Sequence, residues 1–232
     1  MLSELLCFIQ IKWKEEREHM IEFIQRGLNS YGTQRFIDAI LGHIKISLIP
    51  FAICLVIGIP LGLLCARSRL LSKWIMSFTQ FMKVIPTLAI MILLLQVLGS
   101  GITIPIIVLT ILGLPPVMVN TCLGIRNIDP KTIEAARGIG MDNWTILRKI
   151  QIPLALPMIL VGVRTTGVQI ISCATLAYYI GGGGMGAPIR YGLSMHLNEL
   201  LVISSAVVAL MTAMLDLGFS AVQKWADEKY TV

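Results

Sequence analysis

Long runs of residues almost free of charge constrain this chain more than any other feature. The clearest run extends from Ile44 to Ala66, and past Lys45 near its start it carries no charged side chain. As a helix it would be about 34 Å long, enough to cross about 30 Å of hydrocarbon. Four similar runs follow at about 78–98, 102–125, 154–180 and 200–219. The pattern predicts an all-α integral membrane protein with about five transmembrane helices.

Composition supports this class. Hydrophobic residues make up 56% of the 232 residues and charged residues only 14%, which is outside the usual range of soluble domains. The net charge of +6 comes from Lys and Arg in the loops between the runs and not from a basic surface interleaved with aromatic residues. Nucleic-acid binding is therefore not expected.

The basic residues also predict an orientation. Arg67, Arg69 and Lys73 follow the first run in a short loop that has no acidic residue. By the positive-inside rule this loop faces the cytoplasm, so the N-terminus lies outside and the C-terminus inside.

Side chains that would hold a metal or perform catalysis are dispersed. The five cysteines and three histidines show no C-x-x-C or metal-ligand spacing, and no cofactor is expected. No Gly-Lys pair occurs in the chain, so a nucleotide-binding P-loop is absent from the sequence. We therefore expect no enzymatic activity.

One sizeable polar segment, residues 129–153, separates the third and fourth runs. Asp129 is a candidate N-cap, and Pro130 suits the first position of a short helix. The chain can then turn at Gly140. Asp142 is a second candidate cap for a helix that Pro153 is expected to interrupt. The pattern predicts a helix, a glycine turn and a second helix.

This segment resembles the EAA loop of type I ABC importer permeases. The resemblance is carried by Glu134-Ala135-Ala136, then Gly140, then the distal Ile150-x-Ile152-Pro153. It implies a MetI-like fold in which the loop docks as a coupling helix on a cytosolic ATPase. The residues implied in that coupling are Glu134, Ala135, Ala136, Gly140, Ile150 and Pro153.

Other stretches are similar to the osmoprotectant branch of these permeases. They include Ile85-Pro86-Thr87-Leu88-Ala89 and Ala174-Thr175-Leu176-Ala177. The resemblance implies a permease for glycine betaine, carnitine or choline. One alternative is a methionine-type amino-acid importer. Another is an ion-coupled secondary carrier, which would need intramembrane carboxylates, and only Asp216, near the inner end of the last run, comes close.

The resemblance also implies an organisation and a set of partners. Residues 1–42 are expected to form an amphipathic interfacial segment, 43–222 the permease domain and 223–232 a cytoplasmic tail. The implied partners are two copies of a cytosolic ABC ATPase, a second permease subunit (a copy or a sibling), an extracytoplasmic substrate-binding protein, a small-molecule substrate and the lipid bilayer of a bacterial cell membrane.

Six residues are candidates for the translocation path. Adjacent prolines in the third run predict a kink or break near mid-membrane, which either lines a cavity or is purely structural. Two tyrosines at the end of the fourth run can hold a quaternary ammonium by cation–π attraction or belong to an interfacial belt. Arg164 in the same run either snorkels or faces another subunit. The six path candidates are Pro86, Pro115, Pro116, Asn120, Tyr178 and Tyr179.

Overall fold

The structure, a computed structural model, describes residues 2–84 and 86–230, without the side chains of residues 2–15, 69, 71, 76, 78, 80 and 82–84. The described residues form helices joined by short turns, and no strand occurs among them. The helices are α1 Leu2–Tyr31, α2 Thr33–Arg67, α3 Arg69–Val84, α4 Thr87–Leu98, α5 Thr103–Arg126, α6 Pro130–Gly138, α7 Asn143–Ile146, α8 Ile152–Ala174, α9 Gly186–Ser194 and α10 Asn198–Tyr230. A π turn, Leu147–Gln151, joins α7 to α8, and a 3₁₀ helix, Thr175–Ile180, follows α8.

Within the described residues, four stretches are long and apolar enough to cross a membrane: Thr33–Arg67, Thr103–Arg126, Asn143–Ile180 and Asn198–Tyr230. The shorter apolar helix α4 has 12 residues and is about 18 Å long. The predicted fold class, an all-helical membrane protein with about five spans, is confirmed.

The centre of the bundle is α5, which packs against both α2 and α8, while α10 packs against α8. Cys54, Leu109 and Val117 are fully buried where these helices meet. Glycines permit the close approach, because a Cβ added at Gly62 would lie 2.5 Å from the Thr121 Cβ. A Cβ at Gly162 would lie 2.8 Å from the Pro116 carbonyl oxygen. Such small-residue contacts are typical of helices packed within a bilayer.

Of the kink or break predicted at Pro115 and Pro116, the break is not present, because α5 runs from Thr103 to Arg126 through both prolines. Proline removes backbone donors from a helix, and a continuous helix then needs other donors from its neighbours. The carbonyls that lack a donor because of the prolines are those of Ile111 and Leu112; the next carbonyl, that of Gly113, accepts from the Thr166 hydroxyl of α8 at 2.8 Å. The third run is therefore one helix braced by α8.

The second run, expected as one helix from about residue 78 to 98, consists of two helices. α3 ends at Val84 and α4 begins at Thr87, with Pro86 at φ −63° and ψ 122° between them. An extended ψ at Pro86 is incompatible with a continuing helix. The Pro86 carbonyl instead accepts from the N–H groups of Ala89 and Ile90 and so opens α4.

Helices α2 and α10 each extend across one of the expected domain boundaries, at residues 42 and 223. α2 begins at Thr33, after Gly32 at φ 92°, so residue 42 lies inside a helix. α10 continues to Tyr230, through most of the expected tail. At the end of the bundle far from α6, His43 joins α2 to two other elements. Its Nε2 donates to the Ile171 carbonyl at 3.1 Å and its Nδ1 accepts from the Met185 N–H at 3.4 Å.

Candidate coupling loop and translocation path

The first half of the 129–153 loop is capped as predicted. The Asp129 side chain accepts from the N–H of Lys131 at 2.9 Å, and Pro130 occupies the first turn of α6. A carboxylate at this position satisfies a helix donor that has no partner within the helix and complements the helix dipole. The start of the loop is thus fixed by its own sequence.

The turn of the loop depends on Gly140, which has φ +84°. α6 ends at Gly138, and the Met141 N–H bonds back to the Ala136 carbonyl at 3.1 Å. A Cβ at Gly140 would meet no atom of the chain within 4 Å. The glycine is therefore required by the left-handed backbone and not by lack of space within this chain.

The second half of the loop begins at Asp142, whose carboxylate accepts from the N–H groups of Trp144 and Thr145 and from the Thr145 hydroxyl. The Thr145 hydroxyl, together with the two backbone donors, lowers the pKa of the fully exposed Asp142 carboxyl below its ordinary value. A lowered pKa means that the cap is complete at neutral pH and is lost only as pH falls through the folded-state value.

Pro153 was expected to interrupt the second helix, but the helix continues through it. Because proline cannot donate to the carbonyl four residues back, the chain widens into the π turn Leu147–Gln151. The Ile152 N–H then bonds to the Leu147 carbonyl, five residues earlier. Helical structure is continuous from Asn143 to Ile180. Ile150 and Pro153 are half-buried in this continuous segment.

The predicted coupling residues on α6 have different environments. Glu134 and Ala135 are exposed, whereas Ala136 is only 4% exposed. Within the part of the chain that the structure describes, Glu134 has no hydrogen bond or ion pair. Ala136 is thus buried within the loop, where α6 packs against α7, while Glu134 is available to another molecule.

Two exposed apolar side chains at the tip of the loop were missed. Ile139 is 81% exposed and Trp144 is 64% exposed, one on each side of the glycine turn. The sequence did offer a signal for both: Ile139 stands between two glycines, and Trp144 is two residues after the cap Asp142, in an otherwise polar segment. Large apolar side chains exposed on a polar loop are typical of a protein contact.

The base of the loop is fixed to the bundle on both sides. Arg126, the last residue of α5, donates to the Ala66 carbonyl at 3.3 Å and to the Ser72 hydroxyl at 2.9 Å. On the other side, Leu147 is buried in a cluster with Ile125. The exposed tip therefore stands on a firmly packed base.

Three of the six path candidates lie together where α5 crosses α8. Pro115 is buried, and the Asn120 side-chain amide donates to the Pro116 carbonyl at 2.8 Å. Gly162 of α8 contacts both Pro116 and Asn120. In this chain, then, these residues face a neighbouring helix.

The other path candidates are elsewhere. Tyr178 and Tyr179 are 38% and 52% exposed at the far end of α8, with ring centroids 5.9 Å apart in an edge-to-face arrangement. Pro86 is exposed between α3 and α4, and Ile85 beside it lies outside the described residues. The structure does not bring these three residues to the α5–α8 crossing.

A charged pair that sequence reasoning did not identify links α8 to α10. Arg164 and Asp216 bond through two contacts, Nε to Oδ1 at 2.5 Å and Nη2 to Oδ2 at 2.7 Å. Asp216 lies within α10, near the inner end of the apolar run 200–219 as predicted. Among the described residues, no group of three or more His, Cys, Asp or Glu side chains is placed to hold a metal ion.

Several long apolar helices and an exposed, capped loop between two of them define a multi-spanning membrane protein. The profile of the family described as "Binding-protein-dependent transport system inner membrane component" matches residues 58–232. The chain belongs to this family of ABC transporter permease subunits, and membership implies an ATPase and a substrate-binding protein as partners.

The curated relatives include three osmoprotectant permeases. The chain is 33% identical to the glycine betaine/carnitine/choline transport system permease protein OpuCB of Bacillus subtilis (strain 168), over 75% of this chain and 80% of the relative. It is 32% identical to the choline transport system permease protein OpuBB of the same organism, over 85% and 89%. It is 32% identical to the osmoprotectant import permease protein OsmW of Salmonella typhimurium, over 75% and 83%.

Solved structures with a similar fold include inward-facing forms of the MetNI methionine ABC transporter. The TM-score is 0.73 at 16% identity, covering 84% of this chain and 97% of that chain. An amino acid ABC transporter solved with histidines gives a TM-score of 0.66 at 21% identity, covering 83% and 94%. At these identities the likeness establishes the fold alone.

Proposed function

We propose that this chain is a permease subunit of an ATP-driven ABC importer and forms a translocation path for a quaternary-amine osmoprotectant of the glycine betaine, carnitine and choline class. One structural observation carries the proposal. An exposed, doubly capped loop with an apolar tip is continuous with a membrane-crossing helix. The substrate class is supported by the names of the curated relatives, which are permeases for these compounds.

The loop is suited to receive force from a soluble motor. Ile139 and Trp144 offer apolar side chains for a groove on the ATPase, and Glu134 offers a carboxylate with no partner in the described part of its own chain. We expect Glu134 to pair with a basic residue of the ATPase. Ala135 leaves a low surface beside it, so that the partner's backbone can approach closely.

The complete importer follows from this role. Two ATPase copies would dock on the loops of two permease subunits, the second being a copy of this chain or a sibling. ATP hydrolysis belongs to the separate ATPase, and an extracytoplasmic binding protein delivers the substrate. The assembly would reside in a bacterial cell membrane.

An ion-coupled secondary carrier is less well supported. Such a carrier needs an intramembrane carboxylate that can bind and release the coupling ion. Asp216 is paired with the Arg164 guanidinium through Nε and Nη2, and this adjacent positive charge disfavours a coupling cation. Uptake blocked by vanadate and insensitive to an ionophore favours the ABC importer.

The decisive variant is Glu134→Lys, tested with the chain expressed alongside its ATPase and binding protein. We expect uptake of labelled glycine betaine to be lost, together with copurification of the ATPase, while membrane insertion is unchanged. The matched control is Glu228→Lys, an exposed glutamate near the end of α10. Normal uptake and ATPase binding in Glu134→Lys would contradict the coupling role.

A further inference from the structure

The Arg164–Asp216 pair is unusual in being half-exposed within the spanning region. The Arg164 side chain is 35% exposed and the Asp216 side chain is 33% exposed. Arg164 lies about 18 Å along α8 from Ile152, and Asp216 about 27 Å along α10 from Asn198, at 1.5 Å per residue. Charged groups at such depths are costly against lipid and normally face protein or water.

A groove lies along the same side of the bundle. Its volume is about 620 Å³, and it is lined by Val168 and Ser172 of α8 and by Ser205, Thr212, Ala213 and Asp216 of α10. This volume suits a small-molecule site. The lining combines hydroxyls, small side chains and one arm of the ion pair.

The neighbouring face of α10 has a different character. Leu210, Met214 and Leu217 are 61%, 66% and 69% exposed, and all three are large and apolar. At 100° per residue, these positions point well away from Ser205, Thr212 and Asp216. α10 therefore has one face of large apolar side chains and another that carries hydroxyls, small side chains and the Asp216 carboxylate.

We propose that the α8–α10 groove is a section of the substrate path and that Arg164 and Asp216 bind a zwitterionic substrate. This inference rests on the function proposed above. The guanidinium fork matches a carboxylate, and the Asp216 carboxylate matches an ammonium group. A substrate that carries both charges replaces the Arg164–Asp216 pair by two ion pairs with the protein, so neither side-chain charge is left without a partner during passage.

The first test measures access of water. Ser172→Cys and Ser205→Cys are made in a chain with Cys7 and Cys173 replaced by Ala, since Cys54, Cys65 and Cys122 are fully buried. We expect a charged methanethiosulfonate to label both positions rapidly in the reconstituted importer, and glycine betaine to slow the reaction. Leu210→Cys, on the apolar face, is the control and should react slowly.

Labelling of Ser172→Cys and Ser205→Cys as slow as that of Leu210→Cys would overturn the proposal, because the groove would then face lipid or a dry subunit contact. This measurement needs no transport. Its failure is therefore distinguishable from failure of the proposed function, in which the unsubstituted importer would show no ATP-dependent uptake of either glycine betaine or choline.

The second test separates binding from a merely structural ion pair. Arg164→Gln should reduce the apparent affinity for glycine betaine about 10- to 100-fold, the range for loss of hydrogen bonds to a charged group. Affinity for choline, which has no carboxylate, should change much less. Asp216→Asn should weaken both, and Arg164→Lys should restore part of the preference. An equal loss for the two compounds in Arg164→Gln, with the assembled complex intact, would refute the role in binding.

Discussion

The hydroxyl of Thr166 donates a 2.8 Å hydrogen bond to the carbonyl of Gly113, and so joins α8 to α5 two residues before the proline pair. Thr166 is completely buried. A buried carbonyl that loses its partner is left unsatisfied. The contact therefore holds α8 against α5 directly beside the proline pair.

Thr166→Val removes this bond with little change of shape. We expect it to lower the free energy of unfolding by about 1 kcal/mol, seen as a lower thermal midpoint of the protein in detergent. Thr165→Val is the control, because the Thr165 hydroxyl is exposed and bonds within its own helix to Val161. Equal midpoints for the two variants would contradict the bracing of α5 by α8.

Gly162→Ala tests the close crossing of α5 and α8. The new Cβ would lie 2.8 Å from the Pro116 oxygen and 2.9 Å from the Asn120 Cβ, so the helices must separate. Overpacking of this kind costs about 1–3 kcal/mol, and we expect a clearly lower thermal midpoint. Gly218→Ala, in a helix with open space around it, should leave the midpoint unchanged or raise it.

Substitutions at Gly140 distinguish the effect of backbone strain from that of steric crowding. Its φ of +84° suits Asn but strains a β-branched residue, and an added side chain meets no atom of this chain. We expect Gly140→Asn to retain most ATP-dependent uptake and Gly140→Val to lose most of it. Equal and complete loss in both would indicate that the ATPase surface, and not the turn, demands glycine.

The Asp142 cap should be visible in hydrogen exchange of the loop. Asp142→Ala removes the acceptor for the Trp144 and Thr145 amides, so these amides should exchange faster at neutral pH. Asp142→Asn keeps an acceptor and should lie between Ala and the parent. Since the folded-state pKa is lowered, the cap contributes fully above about pH 3.9 and weakens as pH falls through the folded-state value. Unchanged exchange in Asp142→Ala would show that the cap does not hold α7.

Features that depend on near neighbours in the sequence were predictable. Asp129 and Asp142 each accept from residues two or three positions ahead, so the caps and the turn between them follow from local chemistry. The membrane-spanning segments were predictable for a similar reason. A segment that crosses hydrocarbon must be nearly free of charge, whichever helices it packs against.

Features that depend on distant partners were not predictable. The hydrogen bond that joins α8 to α5 beside the prolines was not predictable, because Thr166 and Gly113 are 53 positions apart. The Arg164–Asp216 pair was missed for the same reason, since its members are 52 positions apart. Both charges were visible in the sequence, but only the packing of α8 against α10 shows that they meet.

Because helical structure is continuous from Asn143 to Ile180, the second half of the loop and the membrane-spanning helix α8 form one element. Trp144 and Arg164 lie on one continuous helical rod, separated by about 30 Å at the ordinary rise of a helix. A joint at Pro153 would have absorbed a tilt applied at the tip. If a bound partner displaced α7, the continuous helical segment would transmit that displacement toward Arg164.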